Sequence, residues 1–185
     1  MRHPFLVGEK VYLRGLEETD LDGPYFQWLN DQDSDEFTTH ALWPNSRCKM
    51  QSFFDKVSDS TRDLVLAIVE KATDRHVGNI GLHEINWIHR KATLAILIGE
   101  ADSRGKGFGT EAVDLLVAHA FGRLNLHRVE LGVRADNMAA IRAYANAGFR
   151  EEGLFREALL SRGKYFDIVR MARLDRVGIA AREDD

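Results

Sequence analysis

The sequence predicts one α/β domain: a mixed sheet, antiparallel at its start and end, flanked by helices. Three observations predict it. At 185 residues the chain has room for one well-formed core and is short for two. Strand-like runs crowd together from Leu64 to Glu100. A glycine loop, Ser103 to Thr110, then joins the most apolar run to the most regular helical segment.

Composition narrows the class. The content is 44% hydrophobic and 29% charged, which is ordinary for a soluble globular chain. A net charge of -4 argues against a protein that grips nucleic acid through a broad basic face. A mildly acidic surface suits cationic or neutral substrates, and equally suits simple solubility. Cys48 is the single cysteine, so neither an intrachain disulfide nor a thiolate zinc cluster can form. The histidines lack H-x-x-x-H and H-E-x-x-H spacing, so no metal is expected. No apolar run marks a signal sequence or nears the roughly 20 residues that span a bilayer. The expectation is a cytoplasmic protein with no membrane or nucleic-acid partner.

The elements follow in order. "KVYLRGL" (Lys10 to Leu16) alternates and reads as a first strand. Asp20 to Asp31 reads as a helix, with Asp20 as N-cap and Tyr25, Trp28 and Leu29 on one stripe. A second helix runs from Arg47 to about Val57, carrying Met50, Phe53 and Phe54. Strands follow at Leu64 to Lys71, His76 to Ile88 and Ala92 to Glu100. The last is nearly all apolar, as a central strand covered on both faces should be.

Ala112, Leu115, Leu116, Ala118 and Phe121 lie near helical spacing and predict a helix over Thr110 to Leu124. A strand at Arg128 to Asn137 leads into a short Ala-rich helix, Met138 to Gly148, stopped by its final glycine. Two closing strands are expected near Gly153 to Leu160 and Tyr165 to Leu174, with "SRGK" as the turn. Residues 1–175 form the expected domain and 176–185 a polar tail.

The loop "SRGKGFGT" carries the chemistry. Unpaired N–H groups and the positive end of a helix dipole make a strand-to-helix junction an anion site. Glycines let main chain approach phosphate oxygens, and Arg104 and Lys106 add positive charge. The loop therefore points to a phosphate, most simply a diphosphate. The plainer alternative is a flexible loop with a helix cap. The P-loop pattern is absent, and the dinucleotide pattern would need glycine at Thr110.

"RGKGFG" fits [Q/R]-x-x-G-x-[G/A], and "NMAAIRAYANAGF" (Asn137 to Phe149) fits N-x-x-A-x-x-x-Y-x-x-x-G-F. In this order and spacing the chain resembles the GNAT acetyltransferases over roughly residues 64–174. Before that, only the element order agrees. The resemblance implies a twisted, mostly antiparallel sheet whose fourth and fifth strands splay, with acetyl-CoA in the gap. It implies main-chain contacts to the diphosphate from Arg104, Gly105, Lys106, Gly107, Phe108, Gly109 and Thr110, and to the pantetheine arm along the edge from Ile96 to Gly99. Asn137 would touch that arm, or serve only as an N-cap; the roles are compatible.

The implied chemistry is attack of an amine on a thioester. The amine arrives protonated, with a pKa of about 10.4 for a lysine-like group, so a base or a water chain must deprotonate it. Backbone N–H near Ile98 would bind the oxyanion. Tyr144 matches the tyrosine that protonates the departing thiolate, although packing is its plainer role. The family has no fixed base. Glu130 leads slightly over Glu100, since it shares a strand face with Gly132, where some N-terminal acetyltransferases carry a carboxylate. His83 and Glu84 are further options, and an ordinary structural role competes for each.

Glu111 most simply complements the helix dipole. Cys48 reads as a packed small hydrophobe rather than an acyl carrier.

Within the family, the second half resembles the branch of ribosomal-protein N-terminal acetyltransferases and spermidine acetyltransferases, notably in "EEGLFREALLSRGKYFDIVRMARL". Asp31, Asp33 and Asp35 crowd beside Trp28, an arrangement that suits a polyamine or is simply a solvated turn. The substrate is then a small amine, a polyamine or a protein N-terminus. An amino sugar or aminoglycoside-like compound is a second reading, and a catalytically silent acetyl-CoA-binding regulator a third. A homo-oligomer stays open.

Overall fold

The computed structural model of the protein describes residues 1–31 and 43–176. Asp33, Asp35 and nearly all of the expected tail therefore lie outside the described residues. Eight strands are described: β1 (Leu6–Val7), β2 (Val11–Gly15), β3 (Leu64–Glu70), β4 (Arg75–Asn86), β5 (Lys91–Ile98), β6 (Arg128–Arg134), β7 (Arg150–Ser161) and β8 (Lys164–Leu174). They form one sheet in the order β1-β2-β3-β4-β5-β6-β8-β7. Its described pairs are antiparallel except β5 with β6. The α/β class and the mostly antiparallel sheet agree with the sequence.

Among the described residues four helices flank the sheet: α1 (Pro24–Trp28), α2 (Arg47–Ser58), α3 (Phe108–Gly122) and α4 (Met138–Asn146). The expected helix from Asp20 is broken. A 3-10 segment, Glu18–Asp22, ends at Gly23, and α1 restarts with proline at its first position. Proline suits that place because its missing N–H would be unpaired there anyway. Asp20 is thus not a simple N-cap. Its carboxylate accepts from the Glu17 N–H and takes both Arg14 Nη atoms at 2.7 Å.

The main core joins the strands to α3. Leu13, Ile68, Ile80, Leu82 and Leu131 are almost fully buried, and each such side chain favours folding by about 1.5–3 kcal/mol. From α3, Ala112, Val113, Leu116, Val117 and Ala120 face them. The buried face is rotated from the expected one, leaving Leu115 and Phe121 half-buried and Ala118 exposed. A second cluster gathers Leu21, Tyr25, Trp28 and Met50, so the Tyr25–Trp28 stripe packs as expected. Cys48, expected to pack, is exposed on α2.

Beneath that second cluster lies a charged pair. Arg14 and Asp20 are buried together, and His76 Nδ1 stands 3.4 Å from the same carboxylate. Burial alone would raise the Asp20 carboxyl; hydrogen bonds from Arg14 and His76 reverse this and hold it well below the usual carboxylate range. Arg14→Leu would strand a buried anion, with an expected loss of about 3 kcal/mol. For a domain of this size that is a Tm fall of roughly 6–12 °C. A folded-state pKa below the unfolded one stabilises above the unfolded value, about 3.9, and less as pH falls beneath it. The gap between wild type and variant should therefore narrow from pH 7 to pH 3 in urea titrations. Equal stability at pH 7 would rule out this role for the pair.

Candidate active site

The site begins where the sheet parts. β5 and β6 pair only at Lys91↔Arg128, Ala92↔Val129 and Thr93↔Glu130, and then diverge. The Gly99 N–H bonds to Val77 O at 3.1 Å, on the β4 side. By the alternation of an antiparallel ladder, the amide groups of Ile96 and Ile98 face the opposite way, toward the gap. That edge can pair with an extended ligand.

The gap opens into a cleft of about 790 Å³. One wall is β5 from Leu94 to Ile98, and the other is Gly132, Val133 and Arg134 of β6 with Leu159 and Ile168. Its mouth is the glycine loop. Gly105 and Gly107 take φ values of 75° and 86°, a region open to glycine at little cost. Gly107 is the N-cap of α3, so the first N–H groups of a 15-residue helix point out of the loop. Arg104 turns back across it, donating from Nε to Ile98 O at 3.2 Å and from Nη2 to Gly99 O at 3.4 Å.

Arg104, Gly105, Gly107, Phe108, Gly109 and Thr110 line the cleft, with Ile98 opposite. Lys106 does not line it; its ammonium lies 5.9 Å from the Phe108 ring centroid. Asn137 is both lining residue and N-cap, its Oδ1 accepting the Ala140 N–H at 3.1 Å. Tyr144 also lines the cleft, packed 5.9 Å from the Phe149 ring. Burial pushes its phenol up to about 12.

The carboxylates stand elsewhere. Glu130 sits at the paired end of the seam and is held by Arg128 at 2.6 Å and Lys91 at 3.4 Å. Burial alone would raise its carboxyl; Arg128 and Lys91 more than reverse this and hold it below its ordinary value, which makes it a weaker base. Glu100 accepts from Trp28 Nε1 at 2.9 Å and stands 3.7 Å from Arg75. His83 is paired with Asp63 at 3.2 Å. Among the described residues that line the cleft there is no carboxylate, so the geometry does not favour Glu130 or Glu100 as a base in direct contact. Gly132 also leaves little room for one: a Cβ there would meet Arg170 and Ile168 at 3.0 Å.

Just past the end of β5, the Trp28 indole covers Gly99, where any Cβ would lie 1.9 Å from the ring. No sequence pattern announced this contact, although a glycine closing an apolar strand was its one visible trace. Asp31 is exposed just after α1. Glu111, read as a dipole partner, lies in the first turn of α3 and also accepts backbone N–H bonds from Glu9, Lys10 and Val11.

The cleft fits coenzyme A: an unpaired strand edge for the pantetheine arm, and a cradle of positive-φ glycines at a helix start for the diphosphate. A parallel seam that opens onto such a cradle suits a transferase that takes an acyl group from CoA. The Acetyltransferase (GNAT) domain family matches residues 10–150, and the chain belongs to that family. Its members use acetyl-CoA as cosubstrate.

The chain is 38% identical over 104 residues to a spermidine N(1)-acetyltransferase of Vibrio cholerae, covering 56% of this chain and 60% of the relative. A Bacillus licheniformis protein described as uncharacterized N-acetyltransferase p20 is 27% identical, covering 92% of this chain and 96% of its own. The crystal structure of the Vibrio cholerae spermidine N-acetyltransferase with CoA and spermine superposes with a TM-score of 0.83 at 28% identity, covering 90% and 96% of the two chains. A dodecameric structure of that protein gives 0.77 at 29% identity, covering 90% and 95%.

Proposed function

We propose that this protein transfers the acetyl group of acetyl-CoA to a primary amine of a polyamine, with both substrates bound together. The observation that carries the reading is the split β5–β6 seam ending in the glycine cradle. The fold-wide likeness to a spermidine acetyltransferase supports a polyamine over a protein N-terminus or an amino sugar. Asp31 and the net charge of -4 support a cationic acceptor.

Acetyl-CoA supplies an activated thioester and a thiolate leaving group. The chain's residues do the rest. Main chain from Arg104 to Thr110 holds the diphosphate, and the Ile96 and Ile98 amides align the arm. The Ile98 N–H would donate to the carbonyl oxygen as negative charge develops there. Tyr144 holds the proton that the leaving sulfur takes. Deprotonation of the amine runs through water, since Glu130 and Glu100 are engaged outside the cleft. Cys48 takes no part.

Two further features fit this reading. A lone, exposed thiol supports a reducing, cytoplasmic setting. The edge strand β7, with Leu154 and Phe155 more than half exposed, supports assembly of several copies.

The test is an amine panel with acetyl-CoA and thiol detection. Spermidine and spermine should give the highest kcat/KM, ahead of peptide N-termini and aminoglycosides. Release of CoA with none of the panel, from protein that binds CoA, would favour a silent acetyl-CoA-binding module instead.

A further inference from the structure

The tight turn between β1 and β2 touches the glycine loop from behind. Three successive backbone N–H groups, of Glu9, Lys10 and Val11, converge on the Glu111 carboxylate, with 3.0 Å from Lys10 N and 3.2 Å from Val11 N. Successive N–H groups curled around one anion form a nest, an arrangement that holds a carboxylate firmly. The fit is close: a Cβ on Gly8 would lie 2.3 Å from Glu111 Oε1. On the far side of the turn, Lys71 Nζ donates to Gly8 O at 2.8 Å and the Lys71 N–H to Lys10 O at 2.9 Å. The turn is thus fixed to the first turn of α3 and to the end of β3.

This fixation has a product. Lys10 Nζ donates to Lys106 O at 3.2 Å, across 96 residues of sequence. It also lies 3.2 Å from where a Cβ of Gly107 would stand. Lys106 O belongs to the same peptide unit as the Gly107 N–H. In a trans peptide the two point in opposite directions. The ammonium therefore stands behind the loop, while the Gly107 N–H points away from it. A cation on a carbonyl polarises the peptide and strengthens its N–H as a donor. It also adds positive potential at a helix start that already carries Arg104 and Lys106.

We infer that Lys10 is a positioning residue for the cosubstrate's diphosphate, and that Glu111 acts through it by gripping the β1–β2 turn. The inference rests on the reading of the loop as the acetyl-CoA cradle. Glu111 would otherwise oppose an anion at this helix start. The nest of N–H groups turns its charge away from the mouth.

The experiment is calorimetric titration of CoA and of 3′-dephospho-CoA into wild type, Lys10→Met, Lys10→Arg, Glu111→Gln and the Lys10→Met/Glu111→Gln double variant. Inhibition by pantetheine, which lacks the diphosphate, is measured alongside. Lys10→Met should weaken both coenzymes about tenfold, the size expected for loss of a charge-assisted bond at one remove. Pantetheine inhibition should be unchanged, and Lys10→Arg should recover most of the loss. In turnover, KM for acetyl-CoA should rise while kcat holds. Glu111→Gln should weaken CoA in the same direction, and the double variant should be little worse than Lys10→Met, as expected for groups acting as one unit.

Equal CoA affinity in wild type and Lys10→Met would overturn the inference. So would a matched loss for pantetheine, which marks general damage to the cleft. Wild-type protein that binds pantetheine but gains nothing from the diphosphate would overturn the reading of the loop itself.

Discussion

Tyr144→Phe is expected to lower kcat by roughly 10²- to 10⁴-fold if protonation of the thiolate limits the rate, and by less if product release does. The change removes one hydroxyl and little volume, so CoA binding should survive. Burial raises the phenol to about 12, so the proton is retained through neutral and mildly alkaline solution and leaves only as pH approaches that value. The wild-type rate should hence show no alkaline limb from this group up to about pH 10. Initial-rate lines at several fixed amine concentrations should intersect, as direct attack requires; an acyl-enzyme would give parallel lines. Cys48→Ala should change kcat little, since the thiol is exposed on α2 and absent from the cleft lining. An unaffected Tyr144→Phe would remove the proposed acid. Parallel lines with an inactive Cys48→Ala would replace the mechanism.

Gly107→Val should abolish most of the stabilisation that CoA gives. The backbone at φ 86° is hostile to a β-branched residue, and the new Cβ would stand 3.2 Å from Lys10 Nζ. Holding valine there costs about 1–3 kcal/mol, and relief of that strain turns the neighbouring N–H groups out of line. CoA affinity should fall by roughly 10²-fold, the sum of strain and misdirected donors. Differential scanning with and without CoA reads this directly. A CoA-dependent shift equal to that of wild type would take the loop out of the binding site.

Much of the architecture was legible because its signals are local. The apolar run ending at Ile98, the glycines with positive φ and the Asn137 cap each act within a few residues. Gly148, at φ 80°, and Gly163, at φ 75°, behave as their residue type dictates, whereas Arg162 takes φ 48°, a region its side chain disfavours. The break at Gly23–Pro24 was written in the sequence as well, but the Tyr25–Trp28 stripe masked it. β1 has two residues and no period to detect.

The site was less legible, because what decides it is distant in sequence. Glu130 and Glu100 look free in a linear reading. Arg128, Lys91, Trp28 and Arg75 engage them only in three dimensions. Glu111 reaches a turn about 100 residues away, which no spacing rule covers.

The three-residue seam between β5 and β6 also divides the folding problem. On one side, β1 to β5 follow one another across the sheet in chain order, so each new strand closes onto its predecessor. On the other, β6, β8 and β7 form a separate block built around one hairpin. Closure is short-range for β3 to β5 and for the β7–β8 hairpin, which favours their quick assembly, whereas β2 meets β3 and β6 meets β8 only across long stretches of chain. Among the described pairs, three join the two blocks across the sheet, and α3 connects β5 to β6 along the chain. The proposed cosubstrate cleft opens where this join ends, so a molecule bound across it would work as a staple between the two blocks.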